Sequence, residues 1–412
     1  MAATLKFTQL TTDDQAEGYA QLLSHCYARP IAESRKWLTR YQREDIAVLI
    51  DPRDPSPDGV AAGLLLIRMG HAYGGRLVPG IGIAGVGVAP GHRGRGTASL
   101  LMDRAVRHIH GLGAPLSGLY PATQALYRRS GYEQAGHRCQ LRMPLNRIVS
   151  TERSLTVRAA VAEDRAEIHR IYERWAAAND GALERPELLW RRVEMIPPAR
   201  EEPTRCFVVE GERAKRGSRA PLEAYVYMYM PAGPDGKPEV HVNDMAAVSG
   251  RAGRRLWSFL ASHSTICSDL VWHCTPAHPL LTLLPEQSFK VSLHMYWMLR
   301  VVDAAQALEA RGYPAGLRTE LAIDVQDPLL KSNSGRLLVR VEESRARVTK
   351  DPRKRFSGPR IALTIDTLAT LYSGFMPAAQ LRFLNRVAGT DEAVAIAAAM
   401  FGGQTPAMCE MF

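Results

Sequence analysis

The chain has 412 residues, enough at about 150 residues per domain for two to three domains with cores of their own. Hydrophobic residues make up 46% and charged residues 23%, which excludes wholesale disorder. Eight lysines and 44 arginines leave a net charge of +10, but they are scattered and no basic run is interleaved with aromatics. This predicts no nucleic-acid partner and leaves the charge to solubility and to the polyanionic parts of a cofactor.

The start, Met1 to Lys6, has no apolar stretch behind a basic region, so no signal peptide is expected. The longest aliphatic runs, Ala61 to Ile67 and Ala393 to Phe401, fall far short of the roughly 20 residues a membrane helix needs. A soluble, cytoplasmic protein without a membrane partner is the expectation. Six cysteines lack C-x-x-C spacing; Cys267 and Cys274, near His263 and His273, read as structural thiols and not as a metal site.

In chain order, Leu5 to Leu10 alternates like a strand, and Thr11 to Asp14 caps a helix running through Cys26. An apolar strand from Ile83 meets Pro90, and a Gly/Arg loop leads to a helix with Ala98, Leu101, Met102, Ala105, Val106 and Ile109 on one face. Met143-Pro144-Leu145 ends a strand, and Asn146 to Ser154 is a polar connector. Leu155 to Arg158 then alternates again, with a helix behind Ala162-Glu163-Asp164 that places Ile168, Ile171, Tyr172 and Trp175 together. The repeated opening at about 150 residues suggests a duplicated domain. Gly211 to Pro221 and Pro231 to Pro238 read as hairpin loops. After Val301 come a helix from Asp303 to Arg311 closed by Gly312, strands at Leu321–Val325, Leu337–Val341, Ala346–Val348 and Ile361–Ile365, and a helix opened by Thr390-Asp391-Glu392. The dense basic run from Arg345 to Arg360 reads as a solvated strand pair and turn. Three domains are expected: 1–150, 151–300 and 301–412.

The stretch Val86-Gly87-Val88-Ala89-Pro90-Gly91-His92-Arg93-Gly94-Arg95-Gly96-Thr97 concentrates the chemistry. Glycines admit close backbone approach, and the helix N-terminus behind them adds partial positive charge, so the turn suits phosphate. It is neither a P-loop nor a complete G-x-G-x-x-G motif. V-x-V-x-P-x-x-R-G-x-G at a strand-to-helix junction resembles the acetyl-coenzyme-A loop of GCN5-related N-acetyltransferases, with Gly91 standing where that family often has Gln or Arg. Tyr127-Arg128-Arg129-Ser130-Gly131-Tyr132 resembles the same family's Y-x-x-x-G-[FY] signature.

The second copy has Met245 to Arg255 at the corresponding place, without the proline and the long loop, and reads as degenerate. Two such domains and a C-terminal unit with Asp327-Pro328, Asn333-Ser334-Gly335-Arg336 and Leu371-Tyr372-Ser373-Gly374, ending in Phe412, resemble the enhanced intracellular survival (Eis) acetyltransferases over essentially the whole chain. The resemblance implies a mixed α/β (α+β) fold: tandem acetyltransferase-like domains and a sterol-carrier-protein-like α+β domain. It implies acetyl-coenzyme A bound by Val86, Gly87, Val88, Arg93, Gly94, Arg95, Gly96, Thr97, Ala98, Ser99, Ala122 and Thr123. It also implies a proton donor at Tyr127, a general base at the α-carboxylate of Phe412 with Met411 helping to anchor it, and a hexameric assembly. The Val88 N–H is assigned the acetyl oxygen on the same ground. Acceptors would be primary amines of aminoglycoside-like small molecules or lysine side chains. Glu33, Glu44, Asp45 and Glu410 are the acids near the expected acceptor pocket, each read individually as a surface charge; Arg29 there disfavours a polycation. The alternative is a lipid- or sterol-binding protein with a vestigial first domain.

Overall fold

A computed structural model of the chain describes residues 5–54, 59–194, 204–213, 219–351 and 355–412. The opening follows the predicted pattern: β1 (Lys6–Gln9) leads to α1 (Asp13–Cys26), where the Thr12 side chain accepts from the Gln15 amide at 3.1 Å. Then come α2 (Ile31–Leu38), β2 (Ile46–Ile50), β3 (Val60–Tyr73) and β4 (Arg76–Val88). Gly74 and Gly75 join β3 to β4 with φ of 57° and 81°, the left-handed pair that a two-residue hairpin turn demands. α3 (Thr97–Gly111), β5 (Leu116–Leu119), α4 (Gln124–Arg129) and β6 (Glu133–Pro144) complete the first stretch.

The repeat follows as β7 (Thr156–Ala159), α5 (Arg165–Ala177), β8 (Leu183–Glu184), α6 (Glu187–Glu194), β9 (Arg205–Glu210), β10 (Leu222–Tyr229), β11 (Val240–Ala247), α7 (Gly250–Ala261), β12 (Asp269–Cys274) and β13 (Lys290–Val301). Both expected hairpins join antiparallel strands. The Gly211 amide donates to Pro221 at 2.8 Å, though 214–218 lie outside the described residues, and the Gly233 amide donates to Lys237 at 2.7 Å.

The final stretch is α8 (Ala304–Ala310), β14 (Thr319–Gln326), β15 (Gly335–Glu342), β16 (Arg345–Lys350), β17 (Arg360–Thr364), α9 (Ile365–Ser373), α10 (Ala378–Phe383), β18 (Ala388–Gly389) and α11 (Asp391–Phe401). Its sheet runs β16-β15-β14-β17-β18. The basic run from Arg345 to Arg360 is therefore not a strand pair: β16 pairs with β15, and β17 lies parallel to β14. Register there follows the apolar positions, because Leu321, Ile323 and Ile361 must all reach the face that α9 and α11 cover.

By its contacts the chain divides into two compact units. The first comprises Met1–Gly136, Trp297–Thr405 and Phe412, and the second comprises His137–Tyr296 and Pro406–Met411. The first unit contains a sheet in the order β1-β2-β3-β4-β5-β13, antiparallel except for the β4–β5 pair. The second repeats it as β7-β9-β10-β11-β12-β6, antiparallel except for β11–β12. The duplication is thus a duplication of topology, with α3 and α7 as the crossover helices. The sixth strands are exchanged. Trp297–Val301 of β13, which follows the second copy in sequence, closes the first sheet, while the part of β6 from His137 onward closes the second.

Of the α3 face predicted from periodicity, Leu101, Met102, Ala105, Val106 and Ile109 are fully buried, packed with Leu64, Ile81, Ile83 and Met298, while Ala98 is half-buried. In the second unit Leu256, Trp257 and Leu260 of α7 pack with Val226, Met245 and Trp272. No helix among the described residues is long and apolar enough to cross a membrane.

Gly312 closes α8 and lies back to back with the Gly74 turn: its amide donates to Tyr73 at 3.0 Å, and an added Cβ would stand 1.9 Å from the Gly74 carbonyl oxygen. Backbone opposes backbone here, so neither side can give. Gly312→Ala is expected to cost about 3 kcal/mol of stability, read as a lowered urea midpoint with unchanged slope.

Candidate active site

The site is built on the end of β4. Its parallel register with β5 runs from Gly80–Leu116 to Ile83–Leu119 and stops, whereas β4 continues to Val88. Among the described residues, the β5-facing edge of β4 has no strand partner in that register beyond Ile83. A bulge follows at Gly85, with φ of 60°, which shifts the pairing with β3 between Gly63 and Leu65. Two tyrosines of the α1 region cover the displaced carbonyls: the Tyr19 hydroxyl donates to Gly85 at 2.7 Å and the Tyr27 hydroxyl to Val86 at 3.3 Å. Gly87 is a packing glycine, since a Cβ there would sit 2.1 Å from Leu22 Cδ2 on α1.

The loop from Ala89 to Gly96 contrasts with this crowding. Gly94 and Gly96 have φ of 70° and 79°, and a Cβ on Gly91, Gly94 or Gly96 would meet nothing within 4 Å. Among the described residues these glycines make room for nothing. Gly96 caps α3 without any side-chain hydrogen bond, so the first-turn amides at Thr97, Ala98 and Ser99 are not met by a capping side chain. The two arginines differ. Arg93 turns back, donating from Nε to Val88 at 3.1 Å and from Nη2 to Cys26 Sγ at 3.4 Å, while Arg95 is exposed at the loop surface.

At the equivalent place in the second unit only Val248 and Ser249 separate β11 from α7. Ser249 Oγ accepts from the Ala252 amide at 3.1 Å and donates to Glu223 at 2.6 Å, so the helix end is filled by its own cap with a carboxylate beside it. An anion finds no seat there.

Ala122 and Thr123 are exposed and lead into α4, which carries Tyr127. Tyr127 is 4% exposed and its ring meets Tyr132 edge-on at 6.2 Å. Burial, and secondarily the neighbouring Tyr27 phenol, push its pKa from 10.0 up to about 12. It therefore keeps its proton throughout the neutral range. Phe412 lies in the same unit: its ring packs 5.9 Å from Tyr120 at the end of β5, and its Cε2 is 2.7 Å from where a Gly82 Cβ would be. The predicted cofactor residues, Tyr127 and Phe412 thus belong to the first unit, whereas Glu410 and Met411 belong to the second.

Residues Pro406–Met411 belong to the second unit, and two expectations about them are corrected. Met411, expected to help anchor the terminus, is 51% exposed, whereas Met408 is fully buried. Glu410 is no surface charge: it accepts from Arg185 Nε at 2.7 Å and Tyr172 Oη at 2.9 Å. Burial raises its pKa, but the Arg185 guanidinium outweighs this and holds the carboxyl below its ordinary value. Backbone bonds from Ala407 to Asp180 at 3.0 Å and from Met408 to His137 at 3.2 Å fix the same segment. Glu33 and Glu44 are exposed and Asp45 half-buried.

Sequence reasoning missed Tyr19, Tyr27, Trp37 and Cys26, which line the bulge from 48 to 66 residues away. Their helical spacing resembles any core face, so only contact identifies them. Arg29 stacks on the Tyr27 and Trp37 rings at 5.5 and 5.3 Å. Among the described residues no group of three or more His, Cys, Asp or Glu side chains has metal-binding geometry, and all six cysteines are free.

Comparison with known proteins agrees with this geometry. An acetyltransferase (GNAT) domain model matches residues 8–135, a second acetyltransferase (GNAT) model matches 181–301, and a sterol carrier protein domain model matches 304–409. A GCN5-related N-acetyltransferase from Anabaena variabilis is similar at 30% identity and a TM-score of 0.89, over 99% of this chain and 100% of that one. Another from Kribbella flavida is similar at 27% identity and a TM-score of 0.83, over 100% of both chains. The N-acetyltransferase Eis of Mycobacterium tuberculosis is 26% identical over 86% of each chain.

The Tyr127 phenol makes stability sensitive to alkali. The unfolded phenol loses its proton near pH 10, while the folded one keeps it to about 12. Between those values the unfolded state binds fewer protons, so this contribution is complete below pH 10 and is lost as pH rises toward 12. Urea midpoints should fall between pH 9.5 and 11.5, and Tyr127→Phe should reduce that fall.

Proposed function

We propose, for a chain that belongs to the GCN5-related N-acetyltransferase family in the Eis-like arrangement of two such domains followed by a sterol carrier domain, that it transfers acetyl from acetyl-coenzyme A to primary amines of small molecules or lysine side chains. The observation that carries this reading is the open glycine turn feeding the uncapped N-terminus of α3, beside a β4 edge left unpaired beyond Ile83. A pyrophosphate fits such a turn, because amides and the helix dipole meet it without a side chain intervening. The open turn argues against a vestigial first domain, which would have no use for it. Domains spanning 1–150, 151–300 and 301–412, and a homohexamer, complete the reading.

In this assignment the amides of Gly94 to Ser99, with Arg95, hold the phosphates. Arg93 braces the loop against Val88, and Val86 to Val88, Ala122 and Thr123 line the remaining channel. Bound acetyl-coenzyme A supplies the thioester carbonyl and a thiolate leaving group. The Val88 amide stabilises the oxygen on which charge develops, a contribution worth about 3 to 4 kcal/mol for one such donor. The α-carboxylate of Phe412 accepts the acceptor ammonium's proton, directly or through water, because an amine with pKa near 10 is protonated at neutral pH. Tyr127 delivers a proton to the departing sulfur, for which its protonated state at neutral pH is the requirement. Arg29, stacked on two rings where acceptors would enter, favours amines of low charge over polycations.

Tyr127→Phe is expected to lower kcat by about 10²-fold or more with KM for acetyl-coenzyme A within about twofold. Adding a short glycine-serine tail after Phe412 keeps every side chain and removes the terminal carboxylate. Acetylation should collapse while calorimetric binding of acetyl-coenzyme A persists; full activity of the extended protein would remove Phe412 from the mechanism.

A further inference from the structure

The Tyr127 turn is short, and most of what holds it comes from residues distant in sequence. α4 has six residues, too few to be stable alone. The turn after it is closed locally by Ser130 to Tyr127 at 3.0 Å and Tyr132 to Tyr127 at 3.2 Å, and its own domain adds Ser130 Oγ to Asp103 at 2.6 Å and Tyr132 to Ser117 at 2.8 Å. Two further ties originate in the C-terminal domain.

The first runs through Glu133, which is 5% exposed. Its carboxylate accepts from Arg128, the neighbour of Tyr127, at 3.0 and 2.8 Å, and from Arg386 Nη2 at 2.9 Å. Arg386 is held in turn by Asp366 at 2.9 Å and Thr367 at 3.2 Å, both on α9. The second tie runs through Arg300 on β13, whose guanidinium lies against Gly131: a Cβ there would stand 2.7 Å from Nη1 and 2.9 Å from Cζ. The signature glycine therefore has two reasons to be glycine, its φ of 83° and this guanidinium. Arg300 Nη2 donates to Asp327 at 2.6 Å with both side chains fully buried. Asp327 also accepts from the amides of Leu329 and Leu330 at 3.0 and 3.1 Å and from Asn333 Nδ2 at 2.8 Å. The Asp327-Pro328 and Asn333 motifs singled out in the sequence thus converge on the acetyltransferase signature.

Buried ion pairs are costly to desolvate, and apolar residues of similar volume often serve stability as well or better. What they do supply is a fixed geometry. We propose that the C-terminal domain is a positioning element of the acetyl transfer, with Arg386 and Asp327 as positioning residues that clamp the turn carrying Tyr127. This rests on the reading of Tyr127 as the proton donor; neither residue need touch substrate.

A double-mutant cycle in the full-length protein tests it. Arg386→Gln keeps a donor but removes the charged fork. It should lower kcat by roughly tenfold or more, leave KM for acetyl-coenzyme A and amine within about twofold, and leave the thermal midpoint within a few degrees. In the Tyr127→Phe background the same substitution should change kcat by less than about twofold, since the group being positioned is gone. Asp366→Asn should show a smaller loss with the same dependence on background. If Arg386→Gln does not fold, Arg386→Lys, which keeps charge without the planar fork, completes the cycle. Equal losses in both backgrounds, or an unchanged kcat for Arg386→Gln, overturn the positioning role while leaving Tyr127 as donor. A parental kcat for Tyr127→Phe alone overturns the donor reading and this proposal together.

Discussion

Two parallel strands that part company set the terms for the rest of the first unit. Once β5 ends at Leu119, the far end of β4 carries amides and carbonyls that no neighbouring strand in that register satisfies. A buried backbone group without a partner costs a few kcal/mol, so such an opening persists only if the fold meets each group in another way. Here the Tyr19 and Tyr27 hydroxyls and the Arg93 guanidinium take the carbonyls of Gly85, Val86 and Val88. The Gly85 bulge turns those groups toward α1. The gap is a built feature, and what it leaves exposed is donor-rich, suited to a thioester oxygen and a chain of phosphates.

The second copy has the same strand order and the same parallel pair, yet its helix N-terminus is closed by Ser249 and Glu223. Its contribution lies elsewhere. The stretch that follows it, Trp297–Val301, pairs with β5 and delivers Arg300 to Gly131. A repeat can lose its binding loop and remain indispensable when another sheet depends on a strand at its end. The third stretch of chain does something comparable with charge, since Arg386 bonds Glu133 beside the signature turn and Asp327 holds the Arg300 that lies against Gly131.

Much of this was legible in the residues. Period-2 and period-3.6 patterns located β1, α1 and α3, and the openings of α1, α8 and α11 were legible in the residues that cap them, Thr12, Asp303 and Thr390. The duplication showed in its two similar openings. The loop and the Tyr127 turn were readable because glycine and proline are forced by backbone geometry. Strand partners were not. Nothing local in Arg345 to Arg360 says that β17 runs parallel to β14, since both pairings bury the same alternate residues. Nor does β13 announce which sheet it joins, because an apolar strand fits either. Glu410 looked like a surface acid for the same reason: its partners Arg185 and Tyr172 lie more than 200 residues away.

The exchange of sixth strands also bears on how the chain is made. A nascent chain that has emerged as far as Gly136 holds five of the six strands of its first sheet, with the β5 edge bare. That edge waits while some 160 further residues are synthesised, about 10 to 30 seconds at usual translation rates. An open apolar edge is a template for foreign strands, so the first sheet is most exposed to misassembly during this interval. Proteolytic separation of the two copies has the same outcome. No single cut between residues 136 and 297 leaves all six strands of the first sheet on one fragment.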